Sequence, residues 1–133
     1  MTPVFMVTEN KPRMLFVDDE EGIRLTLPLI LGKRGFQVKA VGSVPHALSE
    51  INDQRFDVLL SDLNINEESD GLLVIASMRV SHPECRNFIL TGYPSFETAQ
   101  QGIRQNIDGY FTKPADVEDL VSEIKAKLDR HKA

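Results

Sequence analysis

The sequence predicts an α/β fold, a three-layer doubly wound sandwich in which five strands alternate with five helices. Three observations lead there. Short apolar runs of strand length alternate with segments of helical periodicity from Arg13 onward, with no repeat, low-complexity tract or internal linker. One run, Val58-Leu59-Leu60, is apolar without alternation, as suits a central parallel strand covered on both faces. Four of the five runs stop at polar residues, namely Asp18-Asp19, Asp62, Thr91 and Lys113. In an open α/β sheet the carboxyl ends of the strands form the crevice where ligands bind, so three carboxylates, a hydroxyl and an ammonium converge there.

The first strand, Arg13 to Val17, ends at Asp18-Asp19-Glu20-Glu21, and the helix that follows carries Ile23, Leu27, Ile30 and Leu31 at helical spacing. It closes between Gly32 and Gly35. Pro28 lies inside this helix, removes a backbone donor and crowds the carbonyl of Arg24, which predicts a kink. Phe36 to Val41 is the second strand. Gly42-Ser43 caps a helix with Pro45 in its first turn and Ala47, Leu48 and Ile51 on its buried face. The third strand, Phe56 to Ser61, is followed by the polar loop Leu63 to Asp70, then by Gly71 and a helix bearing Leu72, Leu73, Ile75, Ala76 and Met78. His82-Pro83 ends that helix, because a residue before proline is pushed out of the helical region. Asn87 to Leu90 is the fourth strand. Tyr93-Pro94-Ser95 opens a weakly apolar helix with Phe96, Ala99 and Ile103 and a glycine, Gly102, inside it, a composition that predicts mobility. Gly109 to Thr112 is the last strand, and Asp116 caps an amphipathic helix through Val117, Leu120, Val121, Ile124 and Leu128. Residues 1–12 read as a flexible N-terminal tail and residues 13–130 as one domain.

Composition narrows the function. The 133 residues are 41% hydrophobic, ordinary for a single globular domain. No apolar run approaches the roughly 20 residues of a membrane-spanning helix. The opening MTPVFMVTENKP lacks the charged start and apolar core of a signal peptide, so a cytoplasmic location without membrane attachment is expected. A net charge of −5 with no basic cluster argues against nucleic acid as a partner of this segment. Cys85 is alone, excludes an internal disulfide and reads as a bystander. His46, His82 and His131 have no spacing that suggests a metal site or a phosphorelay histidine, and all three read as surface residues.

Five motifs in order, each at a strand end, carry a family resemblance. They are Asp18-Asp19, Asp62, Thr91-Gly92, an aromatic at Tyr110 or Phe111, and Lys113-Pro114. From about Arg13 to Lys127 the chain resembles the receiver domain of two-component response regulators, the chemotaxis-regulator-like type. The resemblance implies a flavodoxin-like sheet in the order 2-1-3-4-5. It implies that Asp62 accepts a phosphoryl group from a histidine kinase or a phosphotransfer protein. It also implies a magnesium ion bound directly by Asp19 and Asp62, through water by Asp18, and by the backbone carbonyl of Asn64. Lys113 would pair with Asp62 or with a phosphoryl oxygen, aimed by a cis Lys113–Pro114 bond. Thr91 and Tyr110, three residues before Lys113, would be the switch pair. The fourth helix, fifth strand and fifth helix would form the readout face toward a downstream protein, an attached effector domain or a phosphorylation-dependent homodimer. Asn64 and Tyr93 would modulate dephosphorylation, with the bulky Tyr93 shielding the acyl phosphate from water and slowing its loss. On this reading the chain is no enzyme beyond catalysing its own phosphorylation and dephosphorylation.

The residue types suit that chemistry independently. A carboxylate can carry a transferred group as an acyl phosphate, and phosphoryl transfer is mostly positioning and charge neutralisation. Magnesium prefers oxygen ligands, and without a cation three clustered carboxylates repel and raise at least one pKa. Each residue also has a plainer role: Asp18-Asp19 as a helix start, Asp62 and Thr91-Gly92 as turns, Lys113-Pro114 as a helix stop, Tyr110 as strand packing. Their coincidence at one crevice outweighs those readings. Two departures stand out: Asn66-Glu67-Glu68-Ser69 makes the loop after Asp62 longer and more acidic, and Ala115 replaces a frequent phenylalanine. The alternative is a magnesium-dependent phosphohydrolase with an aspartyl nucleophile, of the haloacid-dehalogenase-like kind. Its two acidic residues would lie two apart after the first strand, whereas Asp18 and Asp19 are adjacent, and no cap domain encloses a substrate.

Overall fold

The computed structural model describes residues 11–132, with side chains through residue 129. The first ten residues of the expected tail and the side chain of His131 lie outside the described residues. The elements are β1 (Arg13–Val17), α1 (Glu21–Lys33), β2 (Gln37–Val41), α2 (Val44–Asp53), β3 (Val58–Ser61), α3 (Gly71–Ser81), β4 (Arg86–Thr91), α4 (Phe96–Arg104), β5 (Gly109–Thr112) and α5 (Val117–Lys132). The strands form one parallel sheet in the order β2-β1-β3-β4-β5, the flavodoxin-like topology that the family resemblance implies.

Strand alternation sends side chains into two separate cores. Leu15, Val17, Leu59 and Ile89 face the layer of Ala47, Ile51, Val74, Ile75 and Met78 from α2 and α3. Met14, Phe16, Val58, Leu60, Phe88 and Leu90 face Leu31 of α1 and Leu120, Val121 and Ile124 of α5. Central strands buried on both faces account for the unbroken apolar runs in the sequence.

Several expected positions shift, each for a local reason. Phe36 and Phe56 are buried but precede their strands. The amide of Phe36 turns back to the carbonyl of Leu31 as part of the α1 terminus, and Phe56 lies under the Arg13 guanidinium. Leu48 is exposed rather than buried; of the apolar residues α3 bears, Leu73 and Ala76 are exposed while Val74, Ile75 and Met78 pack inside. Helical rotation explains this: Val74, Ile75 and Met78 share one stripe of α3, and Leu73 and Ala76 fall on its far side. The α1 helix runs through Pro28 without a break.

The caps follow the sequence. Ser43 Oγ accepts from the amide of His46, Asp116 Oδ1 from the amides of Glu118 and Asp119, and Ser95 and Thr98 form a reciprocal capping box on α4.

Gly71, the first residue of α3, is packed hardest against backbone. It is buried, its amide donates to the carbonyl of Leu63 at 2.8 Å, and a Cβ there would overlap the carbonyl oxygen of Asp62. Neither neighbour can yield, since both are main chain. Gly71→Ala should therefore destabilise the protein by about 2 kcal/mol or more, the scale of forced overpacking, as read from the urea midpoint of unfolding.

Candidate functional site

Backbone pairing sets the site one residue beyond each strand. The amide of Asp18 donates to Val41 O at 3.1 Å, that of Asp62 to Val17 O at 2.8 Å, and that of Lys113 to Thr91 O at 2.8 Å. The sheet ladder therefore fixes three chemistry-bearing residues at the ends of β1, β3 and β5. Carboxylate oxygens of Asp18, Asp19 and Asp62 lie within 4.8 Å of one another. Asp18 is fully buried, Asp62 nearly so at 7%, and Asp19 is exposed.

Lys113 Nζ is the ammonium that holds the cluster. It donates to Asp18 Oδ2 at 2.7 Å and to Asp62 Oδ2 at 3.0 Å, and lies 3.5 Å from Glu20 Oε1. The Lys113–Pro114 bond is cis. The resemblance supplies the Asp62 partner; the structure adds Asp18 at a shorter distance, and Glu20. Asp18 Oδ1 also accepts from the amide of Glu20 at 2.9 Å.

Burial pushes the Asp62 carboxyl above its ordinary value of 3.8, Lys113 opposes this, and the charge on Asp18 adds to it. Asp19 is raised too, by the desolvation it has and then by Asp18. Burial would lower Lys113, but its bonds to Asp18 and Asp62 outweigh that and raise it. One ammonium thus leaves negative charge uncompensated. At an effective dielectric of about 20, two ionised carboxylates at this spacing repel by roughly 3 kcal/mol, less for exposed Asp19. An all-oxygen donor set with surplus charge fits a hard divalent cation, and Asp18, Asp19 and Asp62 are the side chains placed to hold one.

The remaining candidates sit around this cluster. Asn64 donates its amide to Asp62 Oδ1 at 3.3 Å, and its side-chain oxygen accepts from the amide of Ser69. Thr91 is fully buried, and its Oγ1 accepts from the amide of Tyr93 at 3.1 Å. The Tyr93 side chain is 80% exposed and stands between two clefts. One cleft is acidic, bounded by Asp19, Asn64, Glu67 and Glu68; the other is apolar, bounded by Ile23, Leu27, Ala115 and Leu120, where the small Ala115 leaves room. Tyr110 packs against the α2/α3 core with its hydroxyl 2.9 Å from Thr98 Oγ1, whereas Phe111 stacks on Phe88 across the sheet.

Sequence reasoning missed several contributors. Asp70 accepts from the amides of Ile65, Asn66 and Glu67 and so organises the long acidic loop. Thr98 meets Tyr110, and Gly71 admits the close return of the chain beneath Asp62. Only Gly71 had a signal, the Asp70-Gly71 pair that ends the loop. Of the histidines, His46 is exposed, but His82 is not simply a surface residue. Half-buried at the end of α3, it places a ring nitrogen 2.8 Å from the carbonyl of Ile51. Cys85 is buried, and burial, then Asp57 and Asp108, push its thiol well above the ordinary range, away from reactivity.

Comparison with known proteins agrees with this geometry. Residues 14–125 match the response regulator receiver domain. The photosynthetic apparatus regulatory protein RegA of Rhodobacter capsulatus is 31% identical over 114 residues, covering 86% of this chain and 61% of its own length, so the chain spans under two thirds of that relative. A CheY-like receiver domain protein from Methanospirillum hungatei superposes with a TM-score of 0.86 at 27% identity, covering 92% of this chain and 98% of that one. A response regulator from Burkholderia pseudomallei, solved with a phosphorylated aspartic acid, calcium ion and citrate, gives 0.77 at 32% identity, covering 87% and 72%.

The electrostatics lead to a paired prediction. Lys113→Ala strands two buried carboxylates and should cost about 3 kcal/mol at neutral pH without divalent cations, measured by urea unfolding. Asp62 and Asp19 have folded pKa values above their ordinary ones, so protonation favours the native state. Their contribution is full below the ordinary carboxylate pKa and is lost as pH rises through the raised values. Magnesium should reverse that loss, giving a Tm increase at about pH 8 that vanishes near about pH 4.

Proposed function

The chain belongs to the response regulator receiver domain family, a signalling module phosphorylated on aspartate, and from that premise we propose that Asp62 is its phosphoryl acceptor. The carrying observation is the Lys113 ammonium bridging Asp62 and Asp18 at the strand ends, with Asp19 beside them. The relatives are response regulators, so the hydrolase reading is set aside.

In the proposed step an Asp62 carboxylate oxygen attacks the phosphorus of a phosphohistidine on a kinase or phosphotransfer protein. The oxygen–phosphorus bond forms as the phosphorus–nitrogen bond breaks, and the imidazole leaves with its electron pair and takes a proton. Asp18, Asp19, Asp62 and the Asn64 carbonyl would hold a divalent cation, magnesium given the all-oxygen donor set, and the chemistry it would supply is neutralisation of negative charge. The calcium and phosphorylated aspartate of the Burkholderia protein support this reading. Lys113, already 3.0 Å from Asp62, passes from a carboxylate oxygen to a phosphoryl oxygen. Thr91 accepts from Tyr93, which leaves its own proton to donate to the phosphoryl group.

The switch would run from Thr91 to Tyr110 and out to the face of α4, β5 and α5. There Phe96 and Ile103 are 77% and 72% exposed, apolar surface available to a downstream protein, an attached effector domain or a second copy of the chain.

Two measurements check this. Incubation with acetyl phosphate and magnesium should add one phosphoryl mass to the wild type and none to Asp62→Asn; a phosphoryl mass on the variant would place the acceptor elsewhere. Tyr93→Glu should shorten the phosphoryl lifetime by roughly threefold or more, about 0.6 kcal/mol of barrier, if the exposed tyrosine closes over the acyl phosphate. An unchanged lifetime would remove the shielding role.

A further inference from the structure

We infer that Arg24 is a positioning residue for the acidic site and that Gly42 is its seat. The inference rests on the cation-binding reading of Asp18, Asp19 and Asp62.

Arg24 stands in the first turns of α1, half-buried, and its Nη1 donates to the backbone carbonyl of Asp18 at 2.9 Å. The preceding peptide unit is held as well, by the Asp18 amide, which donates to Val41 O at 3.1 Å. The turn carrying the acidic pair is therefore suspended between the end of β2 and one side chain of α1. The guanidinium lies directly over Gly42, the residue after Val41. A Cβ on Gly42 would come within 2.6 Å of Nη1, 2.8 Å of Cζ and 3.2 Å of Nε. Those atoms are the far end of a flexible side chain. An alanine at 42 would accordingly displace the guanidinium at little cost to the fold, unlike alanine at 71, which meets fixed backbone.

The arrangement acts through orientation. Asp18 is fully buried, and one carboxylate oxygen is already committed to Lys113 and the other to the Glu20 amide. Its direction relative to Asp19 and Asp62 thus depends on the pitch of the turn, which Arg24 sets. Partners that orient metal-binding groups without touching the ion typically change affinity by about 10- to 100-fold when removed. Charge alone predicts the reverse. Arg24 is a cation near an acidic cluster, so its removal by a purely electrostatic effect would tighten binding of another cation. The two explanations differ in sign.

The test is magnesium titration by calorimetry on the full chain, for wild type, Arg24→Gln, Gly42→Ala and the double variant, with unfolding midpoints in parallel. Positioning predicts that both single variants bind magnesium about tenfold more weakly. The double variant should be no weaker than Arg24→Gln alone, because both act through the same guanidinium. Gly42→Ala keeps the charge and serves on its own if Arg24→Gln does not fold. Affinity unchanged within twofold, or tighter, in either variant overturns the proposal, and additive losses in the double variant overturn the pairing of Arg24 with Gly42. A wild type that binds no magnesium overturns the cation reading itself, and this inference with it; loss confined to the variants leaves that reading standing.

Discussion

Negative charge buried at the ends of β1 and β3 must be met by something, and among the described residues Lys113 of the β5 end is the ammonium that meets both Asp18 and Asp62. Isolated buried charges are tolerated only when paired and hydrogen-bonded. Much of the surrounding architecture serves that requirement. The sheet ladder extends one residue past each strand to fix the backbone of the three residues. The loop after Asp62 returns so closely that only glycine fits at position 71, and three amides converge on Asp70 to keep that loop in place. Pairing is incomplete all the same. Two of the carboxylates remain harder to ionise than in water, so the native state carries an electrostatic deficit that a bound cation would relieve.

The sheet separates the consequences of filling that site. Tyr110 and Phe111 are neighbours, yet strand alternation sends one toward α4 and the α2/α3 core and the other into the α1/α5 core. Movement at Tyr110 therefore leaves the Phe88–Phe111 stack in place. The Tyr110 hydroxyl meets Thr98, which also closes the capping box of α4. A rotation of this ring would break a bond to the helix terminus, where a few hydrogen bonds and little buried apolar area hold the element.

The sequence was legible wherever one-dimensional pattern maps directly onto backbone. Unbroken apolar runs marked the central strands, and caps such as Ser43, Ser95 and Asp116 marked helix starts. The strand-end polar residues converged because parallel topology leaves them no other place. Contacts made at a distance were not legible. That Lys113 reaches Asp18 as well as Asp62, that Arg24 reaches the Asp18 carbonyl and that Thr98 meets Tyr110 depend on side-chain direction across elements, which no local spacing encodes. Burial in α2 erred for a related reason. Leu48 is apolar but lies off the narrow stripe that faces the sheet, and a wide apolar helix surface does not reveal which arc is covered.

Lys113 lies 95 residues after Asp18 and 51 after Asp62 in the chain. Synthesis proceeds from the N-terminus, so both aspartates and the strands that bury them emerge well before their counter-ion is made. A ribosome-bound intermediate ending short of β5 has hydrophobic material for four strands of sheet but no ammonium for its acidic crevice. Closure of the acidic site therefore waits on synthesis of β5, and a chain terminated before it lacks the counter-ion that its buried aspartates require.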